Sequence, residues 1–230
     1  MMIKFGKCGK PMIEFNDYSF GYDYKQPFEK RIFTDVDLKI DGKKTLLVGT
    51  SGSGKSTFFK TLIKYLKPSN GTVITPNEIG FLLQNVNSQV ICHTIYEEIN
   101  LGYKNKFNVD IKEETIQSFF KLFEVNFLLT DNPRHLSGGQ KKIIILIALL
   151  VTEPQLLLLD EPFVGLDYKR KILLIEYLKS SDINFILSTH DVSDSRDLFD
   201  QVVLIENKKL LIVELEDVYQ RMILKRPVLI

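Results

Sequence analysis

Apolar and polar residues alternate from Ile13 to Tyr22: Ile13 and Phe15 are followed, after a one-residue slip, by Tyr18, Phe20 and Tyr22. A period of two with one slip predicts a half-buried strand carrying a bulge. Residues 37–40 and 45–48 flank Asp41-Gly42, so a hairpin is expected there. Val48-Gly49 then runs into a Gly/Ser cluster and on to residues 57–66, where apolar positions recur at helical spacing. That reads as strand, loop, helix. Pro68-Ser69-Asn70-Gly71 predicts a turn, with short strands at 72–75 and 80–83. From 91 to 151 the spacing becomes helical: Ile116, Phe119, Phe120 and Phe123 share one face, and Asp110 with Glu113 resembles a capping box. The continuous apolar runs 156–159 and 184–188, separated by a helical stretch at 168–179, suit buried parallel strands joined by a crossover helix. A closing hairpin is expected at 202–205 and 209–213 around Glu206-Asn207-Lys208. The chain is therefore α/β, with a β-rich opening and a helical middle.

Composition narrows the class. With 44% hydrophobic and 26% charged residues, 230 positions suit one globular domain with lobes, spanning 1–230. Thirty Lys and Arg against 29 Asp and Glu leave a net charge of +1. No global field then favours nucleic acid or anionic lipid, and no nucleic-acid partner is expected. Cys8 and Cys92 show no ligand or disulfide spacing, which fits a reducing compartment. The most apolar stretch, 143–151, is nine residues, against about 20 for a spanning helix. The basic N-terminus lacks the apolar core of a signal peptide. No internal repeat or low-complexity linker is visible.

Two motifs carry chemistry. Gly49-Thr50-Ser51-Gly52-Ser53-Gly54-Lys55-Ser56 fits GxxxxGK[ST] between an expected strand and an expected helix, which also takes in Thr57. Its glycines let successive amides turn inward around phosphates, the helix N-terminus adds a positive dipole end, and Lys55 places a charge near the β and γ phosphates. Ser56 is the expected Mg²⁺ ligand. The second motif is Asp160-Glu161, just past four leucines at the end of an expected buried strand, where α/β sheets place their ligands. There Asp160 is expected to hold Mg²⁺ through water, and Glu161 to orient and deprotonate an attacking water.

Leu136-Ser137-Gly138-Gly139-Gln140 lies between these motifs, followed by Gly165-Leu166-Asp167 and His190. In this order the set resembles ABC-type ATPases along nearly the whole chain. The resemblance implies a P-loop fold with a mixed central sheet, an N-terminal antiparallel β subdomain and a helical subdomain inserted at roughly 88–150. It assigns Tyr22 to adenine stacking, with Phe20 as the competing ring, and Gln84 to the metal and the attacking water. By the same resemblance His190 contacts the γ-phosphate. His93 and His135 match no family position. Ser137, Gly138, Gly139 and Gln140 would contact the γ-phosphate of a second ATPase, identical or paralogous, in a head-to-tail dimer, with Asp167 across the interface. The implied cofactors are ATP and Mg²⁺.

The segment from Gln84-Asn85 to Gln89, followed by Thr94-Ile95-Tyr96-Glu97-Glu98 and closing at Gly102, is similar to energy-coupling factor importer ATPases, although Val86 stands where that group usually has proline. Only residues 214–230 are available for the C-terminal extension many of that group carry. This likeness implies a transmembrane coupling subunit, a substrate-capturing membrane protein, vitamin or transition-metal cargo, and a peripheral location on the cytoplasmic face of the membrane. An amino-acid or metal-ion importer ATPase, or a division-associated cassette, would share the same catalytic set.

Overall fold

A computed structural model of the chain describes residues 13–22 and 30–218. In chain order these form β1 (Ile13–Tyr22), β2 (Lys30–Ile40), β3 (Lys44–Gly49), α1 (Lys55–Leu62), β4 (Asn70–Ile74), β5 (Ile79–Leu82), α2 (Ile95–Phe107), α3 (Glu113–Leu122), α4 (Gly138–Leu150), β6 (Leu156–Asp160), α5 (Tyr168–Ser180), β7 (Phe185–Ser188), β8 (Gln201–Glu206) and β9 (Lys209–Val213). They fall into two compact units. One is the continuous stretch Glu78–Asn184; the other joins the described residues up to Asn77 with those from Phe185 onward. Cys8, the basic N-terminus and residues 219–230 of the expected C-terminal extension lie outside the described residues.

The divided unit holds two sheets. β1 pairs antiparallel with β2 on one side and β4 on the other. The slip in its alternation appears as register shifts between Phe15 and Tyr18, with Asp17 at φ 46°. A mixed sheet in the order β7-β3-β8-β9 has β3 parallel to both β7 and β8, and β9 antiparallel to β8. The hairpin expected at Asp41-Gly42 does not form: β2 stays with β1, while β3 enters the other sheet. The reason lies in the burial. Thr45, Leu46, Leu47 and Val48 are all buried, so β3 needs neighbours on both edges and cover on both faces, which a strand between two parallel partners obtains. The closing hairpin of β8 and β9 does form, with Glu206 opposite Lys209 and both loop residues, Asn207 and Lys208, at positive φ, as a tight primed turn requires.

α1 is shorter than its apolar spacing suggests. It stops at Leu62, Lys64 turns left-handed at φ 57°, and Tyr65 is exposed.

In the continuous unit β5 runs parallel to β6, whose residues Leu156–Asp160 are all buried. Ile116, Phe119, Phe120 and Phe123 are buried as their spacing predicts, and the rings of Phe119 and Phe123 meet that of Tyr177. The expected Asp110/Glu113 capping box is absent. Lys112 occupies the N-cap of α3 without a side-chain bond, and Asp110 instead accepts a 2.7 Å hydrogen bond from Asn100 and pairs with Lys104 at 2.9 Å. Capping boxes occur at two other helix starts, Thr94/Glu97 on α2 and Ser137/Gln140 on α4. Among the described residues no helix is long and apolar enough to cross a membrane.

Candidate functional site

The phosphate loop leaves β3 and enters α1 through Gly54, at φ 112°, which occupies the N-cap without any side-chain hydrogen bond. Only glycine takes that conformation at no steric cost, and a Cβ here would meet Ile32 Cγ2 at 2.7 Å. Gly52 is also left-handed, at φ 76°. No side chain caps the helix, and first-turn amides are the groups by which a helix start receives an anion. Lys55 folds back over the loop, its Nζ donating to Gly49 O at 2.8 Å and Thr50 O at 3.3 Å.

Of the two candidate stacking rings, Phe20 is buried, whereas Tyr22 is 39% exposed and leaves its ring accessible. The Tyr22 hydroxyl lies 3.2 Å from Thr57 Oγ1, which joins the end of β1 to the first turn of α1. Past β7, Thr189 is buried and closes a small turn with Asp191, and the exposed His190 lies between them. His190 and residues Gly49 to Ser53 line one cavity of about 1040 Å³. The divided unit therefore groups the exposed Tyr22 ring, the Gly49–Ser53 loop, Lys55, Ser56 and His190.

The continuous unit carries the acids. Asp160 ends β6 and is buried, as is Glu161, which follows at φ 51°. Left-handed backbone at a non-glycine residue is uncommon and concentrates at functional sites. Lys142, on α4, is also buried. Its Nζ donates to Glu161 O at 2.9 Å and Val164 O at 2.6 Å. Burial pulls the Lys142 ammonium below its usual range, and the Glu161 and Asp160 carboxylates oppose that shift. The preceding residues gave no hint of this lysine's role. Its only signal is a cation directly before the nine-residue apolar run.

Ser137 caps α4: its Oγ accepts from Gln140 N at 3.3 Å, and Gln140 Oε1 accepts from Ser137 N at 2.9 Å. Gly138 is exposed, with nothing within 4 Å of where a Cβ would sit. Gly139 is the opposite case. A Cβ there would fall 2.3 Å from Gly165 O, so α4 and the Gly165 loop are in backbone contact. Asp167 caps α5, and its carboxyl lies below the usual carboxylate range through bonds from the Arg170 amide and guanidinium. Gln84 is exposed just beyond β5. Gln89 fixes the chain before it, accepting from Leu83 N and donating to Phe81 O, both at 2.8 Å. Exposed His93 and His135 join neither group, and Cys92 is a free cysteine whose thiol burial pushes up.

The ABC transporter family model matches residues 33–164. The energy-coupling factor transporter ATP-binding protein EcfA2 of Staphylococcus epidermidis is 32% identical over 217 residues, covering 84% of this chain and 76% of that protein. The protein of the same description from Bacillus cereus is 33% identical over 218 residues, covering 84% and 74%. Among solved structures, a dimeric ATP-binding cassette in a post-hydrolysis state with ADP and Pi superposes with a TM-score of 0.76 at 22% identity, over 88% of this chain and 98% of that one. The cbiO1 protein of Clostridium perfringens, described as part of the ABC transporter complex cbiONQ, gives 0.71 at 24% identity, over 93% and 92%.

Proposed function

The chain belongs to the ABC transporter family, as an ATP-hydrolysing motor subunit of the energy-coupling factor type, and we propose that the two residue groups above act on ATP as follows. Residues Gly49 to Thr57 receive the phosphates with their amides and the Lys55 ammonium, and Tyr22 stacks on the base. Glu161 orients and deprotonates the attacking water, while His190 and Gln84 align it with the γ-phosphate.

Ser56, Asp160 and Gln84 would hold Mg²⁺. A hydroxyl, a carboxylate and an amide oxygen are hard donors that suit this ion, which is held by one or two carboxylates and phosphate oxygens rather than by an all-protein cage. When bound, the ion neutralises charge on the phosphates.

Ser137, Gly138, Gly139 and Gln140 serve the γ-phosphate of a second ATPase, the same chain or a paralogue, docked head to tail with Asp167 at the junction. ATP then joins two subunits. Hydrolysis removes the phosphate both contact and loosens the pair, a population shift able to move a membrane partner. That partner is a transmembrane coupling subunit accompanied by a substrate-capturing protein, with this chain peripheral on the cytoplasmic face of the membrane. Vitamins and transition-metal ions are the cargo classes implied.

The observation that carries the nucleotide reading is the uncapped, glycine-led start of α1 with Lys55 above it. The importer reading is tested by purifying the tagged chain from gently solubilised native membranes and identifying its companions by mass spectrometry. Recovery with a small coupling protein and a capturing protein is expected, and a second ATPase species would mark a heterodimer. Recovery with division proteins, or with nothing from the membrane, would overturn it.

A further inference from the structure

Lys142 is a buried cation in the second turn of α4, and its ammonium is spent on backbone carbonyls. Those carbonyls belong to Glu161 and Val164, the two ends of the turn that follows β6. The same turn is closed by Val164 N donating to Glu161 O at 3.3 Å. Glu161 O thus accepts from both the Lys142 ammonium and the Val164 amide. One helical turn earlier, Gly139 approaches Gly165 O so closely that no side chain fits between them. Helix α4 therefore grips the segment 161–165 at two successive points.

What that grip holds is unusual backbone. Glu161 is at φ 51° and Gly165 at φ 83°, so the segment begins and ends in the left-handed region. Glycine adopts this freely; glutamate does so only when its surroundings over-determine it. A left-handed φ at Glu161 also sets the direction in which its side chain leaves the strand end. An ammonium on its carbonyl, in a site where Asp160, Glu161 and Lys142 are all buried, constrains that conformation, because charge-assisted bonds strengthen away from water.

We propose that Lys142 is the positioning residue for the hydrolytic carboxylate: it locks the Glu161–Val164 turn to helix α4 and so fixes where the Glu161 side chain points. This rests on the reading of Glu161 as the residue that activates water. It adds a link the family motifs do not contain, since α4 begins at the signature offered to the other subunit, while Glu161 serves the chain's own nucleotide. Displacement of α4 is then felt at the base through one side chain.

The test uses the chain with the partners it carries from the membrane, and compares Lys142→Met, Lys142→Arg and Glu161→Gln, together with the Lys142→Met/Glu161→Gln double variant. Lys142→Met keeps the length and loses the ammonium. It is expected to lower kcat about 10- to 100-fold, the scale of a misplaced catalytic group, with ATP affinity by fluorescent-nucleotide titration essentially unchanged. Lys142→Arg, which can still donate to both carbonyls, is expected to recover most of the rate. In the Glu161→Gln background, adding Lys142→Met should cost nothing further, because residues acting as one unit are not additive. Parental kcat in Lys142→Met overturns the proposal. So does a rate loss that multiplies with that of Glu161→Gln, or one accompanied by equal loss of ATP affinity and left unrepaired by arginine. If Glu161→Gln alone hydrolyses at the parental rate, the base assignment falls and this proposal with it. An inactive Glu161→Gln beside a fully active Lys142→Met removes only the role of Lys142.

Discussion

The N-termini of α1 and α4 both read as anion sites, yet they are built in opposite ways. α1 starts from Gly54 with no side-chain cap, whereas α4 satisfies itself through the Ser137/Gln140 box. α1 carries its cation on the loop, with Lys55 resting on Gly49 O and Thr50 O. The lysines of α4 are committed elsewhere: Lys141 donates to Asn87 Oδ1 at 3.1 Å, and Lys142 is buried against Glu161 O and Val164 O. An uncapped helix start with a charge beside it is expected to bind phosphate on its own. A capped one offers a hydroxyl proton and a glycine-opened surface, enough to recognise phosphate that another site already holds. Affinity should reside at α1, and dependence on a second subunit at α4.

The largest expected effect separates chemistry from both helix starts. Glu161→Gln should lower kcat by about 10² to 10⁴, the range for losing a general base, while ATP still binds and the closed dimer accumulates on size-exclusion chromatography. A rapidly hydrolysing variant would remove Glu161 from that role. Next in size, Lys55→Ala should weaken ATP binding about 10- to 100-fold, as expected when a charged donor is withdrawn from a phosphate, and equilibrium titration would read it directly. Were Lys55→Ala to bind normally and Ser137→Ala to bind poorly, the division of labour between α1 and α4 would be reversed. Gly139→Ala should be worse for stability than Gly138→Ala, since a Cβ at Gly139 meets Gly165 O at 2.3 Å and one at Gly138 meets nothing within 4 Å. Thermal unfolding of the pair would show whether α4 and the Gly165 loop must touch for the unit to hold.

What could be read without coordinates follows from the range of each interaction. The phosphate loop, the leucines of β6 and the Phe119/Phe123 face are short patterns whose meaning is local, and they appear where expected. The pairing of β3 departs from the expected hairpin because Asp41-Gly42 is a local turn signal, while the partners of β3 lie far along the chain at 185–188 and 201–205. The capping box placed at Asp110 failed for a related reason: its carboxylate is taken by Asn100 and Lys104 of the preceding helix. The boxes at Thr94/Glu97 and Ser137/Gln140 follow the same S/T-x-x-E/Q pattern and were legible in principle. Lys142 was not legible, because nothing in a lysine beside a helix start says that its ammonium will lie on carbonyls 19 and 22 residues away.

Those two boxes allow the smallest and most discriminating test. Thr94→Ala and Ser137→Ala each remove an N-cap hydroxyl and should each cost about 0.5–2 kcal/mol of stability, readable as similar shifts in chemical denaturation. Neither should change the affinity of a single chain for ATP. Only Ser137→Ala should weaken ATP-dependent dimer formation in the Glu161→Gln background, since Thr94 opens a helix assigned no phosphate. Ser137→Thr retains both the cap and the donor and should restore the dimer. If both alanine variants impair the dimer equally, the Ser137 hydroxyl is acting through helix stability alone, and the γ-phosphate contact proposed at α4 falls to Gly138, Gly139 and Gln140.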